Sequence, residues 1–262
     1  MTITAFIMIF MLVFVRILSL FTITPIFSAA QVPTLYKIGL SIFLAQMVVV
    51  TLSSKSLADK VQYLNTTHLF YYIVQEAMVG FTIGLVVLAI FATVQFAGQL
   101  LDTQVGFSIA NLISPGLVAP AGILSTFHYI VFAIIFISGN GLSTIVLAIL
   151  DSFQYLPLGV AVFRGNVANE LLQLLVNLTA TGIQIASPVL LTAFMTNVAL
   201  ALASKLVPQI NVFVVGFPLI LFLGLGILGI LIPGMVFVMN NLLTNMNNQI
   251  ASILQALGGT IP

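Results

Sequence analysis

The side chains that could perform chemistry are few and widely spaced in this chain of 262 residues. His68 and His128 lie far apart, and neither has a second metal-ligating residue three or four positions later, as a zinc-binding helix requires. The segment Gly106-Phe107-Ser108 lacks the second glycine of a nucleophile elbow. No Gly-Lys-Ser/Thr loop is present to bind nucleotide phosphates. The sequence therefore predicts a protein that is not an enzyme and holds no metal or cofactor.

Two charged residues, Arg16 and Glu76, lie inside long apolar runs. A charge at the centre of a bilayer costs about 2.5–3.5 kcal/mol on insertion scales, so each should be paired or face water. One interpretation places Arg16 at a membrane interface, with its side chain extended towards the headgroups. The other pairs it with Glu76 or with a neighbouring subunit. Two such groups are too few for a proton relay.

The composition excludes most classes of soluble protein. Charged residues make up 4% of the chain and hydrophobic residues 61%, whereas soluble domains carry about 25% charged residues. The net charge of +1 provides no basic surface for nucleic acid. The chain also has no cysteine, so disulfides and thiolate sites are excluded. What remains is a polytopic membrane protein or a chain buried in a larger apolar assembly.

Long apolar runs predict an all-α protein with about six to eight membrane-associated helices, because a spanning helix needs about 20 apolar residues and barrel strands only about ten. Helix breaks are expected at Pro25 and at Gly139-Asn140-Gly141. Residues 164–170 are expected to be a polar connection. The tail after residue 243 is rich in asparagine and then weakly amphipathic. The runs cover residues 3–30, 38–52, 69–101, 123–163, 171–203 and 212–243.

The apolar runs contain more amides than lipid-facing helices normally carry: Gln46, Gln75, Gln95, Gln99, Gln104, Gln173 and Gln184. These amides indicate either helix contacts within the chain or contacts with other subunits. Lysine and arginine are also distributed without bias between the connections expected on the two sides of the membrane. This distribution favours a chain whose position in the membrane is set by partner proteins. Gly80-x-x-x-Gly84 predicts a close helix contact, and the glycines from 224 to 229 predict close helix packing.

Residues 106–122 form an unusual segment that combines helix breakers with apolar side chains. Non-helical backbone at membrane depth is tolerated only inside protein or around a cavity. The segment is therefore either a buried connection or a loop that fills a pore. Its candidate pore-closing residues are Gly106, Phe107, Ile109, Leu112, Ile113, Pro115, Gly116, Leu117, Val118, Pro120 and Gly122.

Four stretches together resemble the FliR family of flagellar biosynthetic proteins, components of the type III export gate, and their order and spacing fit that family over nearly the whole chain. The last stretch is the most specific, and its Gly216-Phe217-Pro218 step favours the flagellar branch over the virulence-secretion branch. The stretches are Arg16 to Phe27 with Val32-Pro33 and Lys37-Ile38-Gly39; Gly98 to Ser108; Asn140-Gly141 with Asp151 to Phe153 and Leu156 to Gly159; and Pro208 to Leu219.

The resemblance implies a structural subunit that assembles with FliP-like and FliQ-like proteins in the bacterial inner membrane, at the flagellar basal body. Residues 1–165 would form a FliP-like part and residues 166–262 a FliQ-like helical hairpin with a tail. Together the subunits would conduct unfolded flagellar proteins, with segment 106–122 closing the pore. Other export-apparatus membrane proteins and lipid are further expected partners. The family motif expected to pack against other subunits comprises Pro208, Gln209, Asn211, Phe213, Gly216, Phe217 and Pro218.

The alternative function is a stand-alone transporter of small molecules. Helices interrupted at Pro25, Pro115 and Pro218 would then surround a binding site at the membrane midplane. Polar and charged groups are too sparse to bind a polar substrate or to couple an ion.

Overall fold

The computed structural model of the chain describes residues 3–52, 68–107, 122–159, 165–207 and 212–258. Over these ranges the chain forms eight helices and no strand, so the all-α prediction is confirmed. The helices are α1 (Ile3–Ile23), α2 (Pro25–Ser28), α3 (Thr34–Leu52), α4 (Leu69–Val105), α5 (Ile123–Ser138), α6 (Gly141–Tyr155), α7 (Gly165–Leu206) and α8 (Val212–Gly258).

Within the described ranges, five helices are long and apolar enough to cross a membrane, namely α1, α3, α4, α7 and α8. The pair α5 and α6 adds a sixth candidate span that is broken at its centre. The chain is therefore a multi-pass membrane protein.

Proline sets the boundary between α1 and α2. Thr24 has extended backbone angles (φ −57°, ψ 122°), as expected for a residue that precedes a proline. Pro25 is the first residue of α2, where its missing N–H costs nothing. The predicted break at Pro25 is thus confirmed.

The second predicted break, at residues 139–141, is also confirmed. Asn140 adopts a left-handed conformation with φ 64°, which asparagine tolerates better than most residues. The Gly139 N–H donates to the Ile135 carbonyl and closes the end of α5. The next helix, α6, ends at Tyr155, two residues before Pro157.

Two boundaries expected from the apolar runs are wrong. The polar stretch 164–170 is helical from Gly165 onwards, and the asparagine-rich tail continues α8 to Gly258. Hydropathy marks only the apolar part of a helix, whereas glutamate and glutamine also favour helix. The tail is amphipathic as expected, because its buried side chains recur at helical spacing: Met246, Ile250, Ile253, Leu254 and Leu257.

The chain divides into two compact units. Unit 1 comprises Met1–Ala89, Asn140–Leu175 and Asn245–Pro262. Its core contains one face of α1, and α1 packs against α3. The most deeply buried α1 side chains are Leu12, Val13, Ile17 and Leu20, each fully excluded from solvent.

Unit 2 comprises Ile90–Gly139 and Val176–Thr244. An aromatic cluster joins α4 to α5, since the ring of Phe91 lies 4.7 Å from that of Phe132 and 5.3 Å from that of Phe136. A second apolar cluster joins α4 and α5 to α7 and α8: Ala97, Leu101, Val105, Leu124, Ile185, Ala186, Val189, Leu228 and Met235.

The amides within the apolar runs are not mainly buried within the chain. Gln75 is buried and Gln95 and Gln104 are half-buried, whereas four are exposed: Gln46, Gln99, Gln173 and Gln184. The glycine cluster also differs in part from the expectation. An added Cβ at Gly224 would lie 2.8 Å from Val105, but Gly226 and Gly229 have no described atom within 4 Å of that position. Close packing within the chain therefore accounts for Gly224 alone among these three.

Candidate functional site

Unit 1 contains a buried ion pair. Arg16 of α1 donates from Nε to Oε2 of Glu76 on α4 at 2.6 Å, and both side chains are only 1% exposed. Of the alternatives left open for Arg16, the structure therefore shows the pairing with Glu76. A buried pair is stable only when its remaining donors and acceptors also find partners.

The two terminal nitrogens of the Arg16 guanidinium donate hydrogen bonds to α6 and to the residue that follows it. Nη1 donates to the Ser152 hydroxyl at 3.0 Å, and Nη2 donates to the Leu156 carbonyl at 3.1 Å. The guanidinium carbon lies 4.1 Å from the centre of the Phe153 ring, within cation–π range. One side chain thus ties the end of α6 to α1 and α4.

The second oxygen of Glu76 is satisfied by a tight turn. The Gly159 N–H donates to Oε1 at 3.0 Å. Gly159 has φ 74°, a left-handed conformation that glycine adopts without strain. Both carboxylate oxygens therefore have a donor.

Close approach of α1 and α4 makes this pair possible. A Cβ added at Gly80 would lie 2.0 Å from the Arg16 carbonyl oxygen and 2.1 Å from the Ser19 hydroxyl. At Gly84 it would lie 2.9 Å from the Leu20 carbonyl oxygen. The close contact predicted for Gly80-x-x-x-Gly84 is confirmed, and its partner is α1.

Unit 2 contains a further buried charge, Asp102, in the last turn of α4. Its Oδ1 accepts from the Leu124 N–H and its Oδ2 from the Ser125 N–H, both at 2.9 Å. These N–H groups belong to the first turn of α5, where a helix leaves four N–H groups without helical partners. Gly122 precedes that helix and has no side chain to cap it. Asp102, only 3% exposed, caps α5 from the neighbouring helix instead.

Glycines surround the Asp102 carboxylate. A Cβ at Gly122 would lie 1.8 Å from Asp102 Oδ2, and a Cβ at Gly98 would lie 2.3 Å from the Ser125 Cα. Gly106, one turn after Asp102, has φ 95°. These glycines allow α4 to end and α5 to begin in direct contact, on either side of segment 106–122.

Most of the predicted pore-closing residues lie outside the described ranges: Ile109, Leu112, Ile113, Pro115, Gly116, Leu117, Val118 and Pro120. The structure describes the two ends of the segment. Phe107 is half-buried against the second apolar cluster of unit 2, and Gly106 and Gly122 adjoin the Asp102 contacts.

The family motif of residues 208–218 is described only in its second half. Pro208, Gln209 and Asn211 lie outside the described ranges, as does the side chain of Phe213. In the first turns of α8, Gly216 is buried and Phe217 is 43% exposed. Pro218 lies within the continuous helix α8, so the interruption that the transporter alternative requires at this residue is not present.

The described part of the chain contains no group of three histidine, aspartate or glutamate side chains placed to hold a metal ion. His68 is exposed at the start of α4. His128 is buried in α5, and its Nδ1 lies 2.7 Å from the Leu124 carbonyl oxygen. The peptide group between Leu124 and Ser125 therefore contacts two side chains, His128 at its carbonyl and Asp102 at its N–H.

Sequence reasoning missed Asp102, Ser152 and Gly159 as members of these sites. An acidic residue near the end of an apolar run is the one indication of Asp102 that the sequence offers. Its partners are backbone N–H groups, which no pattern of residue types reveals.

Comparison with known proteins gives a consistent result. The profile of the family described as bacterial export proteins, family 1, matches residues 7–246. The flagellar biosynthetic protein FliR of Bacillus subtilis (strain 168) is 33% identical over 216 residues, which are 80% of each chain. FliR of Escherichia coli (strain K12) is 27% identical over 242 residues, which are 92% of this chain and 91% of that protein. The Yop proteins translocation protein T of Yersinia pestis is 31% identical over 152 residues, which are 55% of this chain and 56% of that protein.

Proposed function

Given that the chain belongs to family 1 of the bacterial export proteins and is thereby a component of a type III export apparatus, we propose that it is a structural subunit of the flagellar export gate. It assembles with FliP-like and FliQ-like proteins in the inner membrane, at the basal body. It performs no catalysis, and other parts of the apparatus supply the energy for export.

The extent of the family match carries this proposal. Residues 7–246 include, at least in part, each helix of the described ranges that could span a membrane. Similarity to the flagellar relatives covers 80–92% of the chain, whereas similarity to the Yersinia pestis translocation protein covers 55%. The flagellar branch is therefore favoured.

A two-part organisation fits the helices. We infer that residues 1–165 correspond to a FliP-like part and residues 166–262 to a FliQ-like hairpin with a tail. In support, the described portion of residues 166–262 consists of only two helices, α7 and α8, with the first residue of their connection. A hairpin needs two long helices joined by a short connection.

Segment 106–122 is proposed to close the pore. Its sequence combines the apolar side chains needed to exclude water and ions from a conduit with glycines and prolines, which disfavour helix. In support, the helices on either side of it are joined by Asp102. A segment whose two ends are fixed loses less conformational entropy on taking up one position than a segment with free ends does.

The stand-alone transporter gains no support. This alternative expects helix interruptions at three prolines, but the helix is continuous at one of them, Pro218. Four exposed amides on long apolar helices also fit contact with other proteins better than contact with lipid.

Co-purification tests the proposed assembly. The chain is tagged at its end, expressed from its native locus and extracted in mild detergent. We expect FliP-like and FliQ-like subunits in the purified material at constant ratio. A monodisperse particle that contains this chain alone would overturn the proposal. A tagged unrelated multi-pass protein from the same membrane serves as the control for adventitious association.

A further inference from the structure

We propose that a notch between α6 and the last turns of α8, here termed the Asp151 notch, binds a lysine or arginine side chain of a neighbouring protein subunit. The notch lies wholly within unit 1 and has a volume of about 190 Å³. The inference rests on the proposed assembly with other subunits of the export apparatus, and it names the chemistry of one contact in that assembly.

Two helices line the notch, each with residues of a single face. On α6 the lining residues are Ala148, Asp151 and Tyr155, whose spacing of three and four positions places them on one side of the helix. The last turns of α8 supply the other wall with residues at the same spacing: Asn247, Ile250, Ala251 and Leu254. The notch is therefore built from regular helices and does not depend on a loop.

Asp151 is half-buried and has no partner in the described part of the chain. No described N–H or O–H group donates to its carboxylate, and no described lysine, arginine or histidine forms an ion pair with it. The carboxylates of Glu76 and Asp102, in contrast, each receive a donor on both oxygens. A carboxylate that is partly withdrawn from water is stabilised when a cation reaches it. Asp151 therefore favours a positively charged occupant.

The remainder of the notch suits a long basic side chain. Its floor is apolar, since Ala148, Ile250 and Leu254 are each only 1–2% exposed. Tyr155 and Asn247 are half-buried and add a phenol and an amide, each of which can accept from a charged N–H group. Lysine and arginine combine an apolar stem with a charged head. The stem covers the floor, and the head contacts the carboxylate and its polar neighbours.

A metal ion fits the notch less well. One carboxylate, one phenol and one amide are fewer oxygen ligands than the roughly six to eight that calcium takes. The described ranges also contain no group of three histidine, aspartate or glutamate side chains placed to hold a metal ion. An apolar floor contributes nothing to the binding of a bare ion, whereas it stabilises the stem of a side chain.

The surface around the notch favours a protein as the source of the charge. Leu147, one turn before Asp151 on α6, is 50% exposed. A mixture of apolar and uncharged polar groups is typical of protein interfaces, and hydroxyls and amides find hydrogen-bond partners in a protein but not among lipid tails. From residue 244 to residue 258 the exposed side chains of α8 are all polar and uncharged: Thr244, Asn245, Asn248, Ser252 and Gln255.

Site-directed photo-cross-linking tests which molecule occupies the notch. In the full chain, expressed from its native locus, p-benzoylphenylalanine replaces Tyr155 in one strain and Asn247 in another. Intact cells are irradiated, and the cross-linked peptides are identified by mass spectrometry. We expect an adduct with another export-apparatus subunit, within one helical turn of a lysine or arginine. Any other result overturns the proposal, including adducts confined to lipid or to this chain and the absence of an adduct at both positions.

Removal of the charge tests whether the carboxylate carries the contact. Asp151→Asn removes one negative charge from the notch. Glu170→Gln is the matched control, because it removes the same charge from α7 at a half-buried position outside the notch. We expect Asp151→Asn to lower the recovery of the cross-linked subunit, per copy of this chain, several-fold relative to Glu170→Gln. Equal recovery with the two variants overturns the proposal.

Charge exchange distinguishes an ion pair from a loss of fit. Tyr155 and Asn247 can donate as well as accept, so Asp151 is the one side chain of fixed polarity in the notch. Asp151→Lys should abolish recovery of the subunit, and replacing the cross-linked basic residue by aspartate should restore most of it. Failure of this rescue overturns the ion pair, also where Asp151→Asn does not accumulate.

The outcome is separable from that of the proposed function. If the unaltered chain recovers no other subunit of the export apparatus, the proposed function fails. If the unaltered chain recovers those subunits and Asp151→Asn recovers them as well as Glu170→Gln does, this inference alone fails.

Discussion

Arg16 and Glu76 are 60 positions apart in the sequence and meet in a buried ion pair with an Nε–Oε2 distance of 2.6 Å. Each partner has further contacts of fixed polarity. Ser152 and Leu156 accept from the arginine, and Gly159 donates to the glutamate. A cation at position 76 would meet the Gly159 N–H, and an anion at position 16 would meet the Leu156 carbonyl. Exchanging the two charges is therefore not expected to restore the contact.

A double-mutant cycle with methionine tests the pair instead. Arg16→Met and Glu76→Met each leave one buried charge without its partner and should each destabilise the chain by about 3–5 kcal/mol. The double variant removes both charges and should cost less than the sum of the single changes. The measurement is the thermal midpoint of the purified complex, with abundance in the membrane as a second readout. Strict additivity would contradict the pairing.

Gly80 should tolerate no side chain. Gly80→Ala places a Cβ against the Arg16 carbonyl and the Ser19 hydroxyl, so α1 and α4 must separate and the ion pair weakens. We expect a loss of stability of about 1–3 kcal/mol, as for other overpacked positions. Gly39→Ala is the matched control, because no described atom lies within 4 Å of its Cβ position and alanine favours helix by about 1 kcal/mol. Equal melting behaviour of the two variants would argue against close packing at Gly80.

Gly159 is expected to discriminate between alanine and asparagine. Its φ of 74° is unfavourable for a residue with a Cβ, and alanine there should cost about 1–2 kcal/mol. Asparagine tolerates the left-handed region better, so Gly159→Asn should retain more of the folded chain. The abundance of each variant in the membrane and its thermal midpoint measure the two losses of stability. Equal losses in the two variants would show that the conformation at this residue does not limit stability.

The helices could be predicted from the sequence because apolar runs of this length have one stable form in a bilayer. The breaks at Pro25 and Asn140 were predictable from residues that restrict the backbone locally. The start of α7 and the last turns of α8 could not be predicted in this way, because polar residues there end the apolar run without ending the helix.

The sites were less predictable, since they depend on packing between distant parts of the chain. Arg16 and Glu76 could be singled out as charges in apolar runs, but only the approach of α1 to α4 at Gly80 brings them together. Asp102 was overlooked as a site residue because its partners are main-chain groups of α5.

The exposed amides give a prediction about assembly. Gln184 is exposed on α7, where an amide in contact with lipid would be unfavourable. Gln184→Leu should lower the amount of FliP-like and FliQ-like protein recovered with this chain and leave the abundance of the chain unchanged. Gln75→Leu is the contrasting variant: Gln75 is buried, so its replacement should lower the abundance of the chain itself. Full recovery of partners with Gln184→Leu would contradict a subunit contact at this residue.

Segment 106–122 is proposed to close a protein-conducting pore. The most direct measurement is the ion permeability of cells whose native copy is replaced by a variant lacking residues 109–120, with co-purification confirming that the variant still assembles. We expect rapid entry of small ions, and loss of membrane potential, in cells with the deletion but not in cells with the intact chain. An assembled deletion variant that stays impermeable to ions and exports flagellar proteins as before would contradict it.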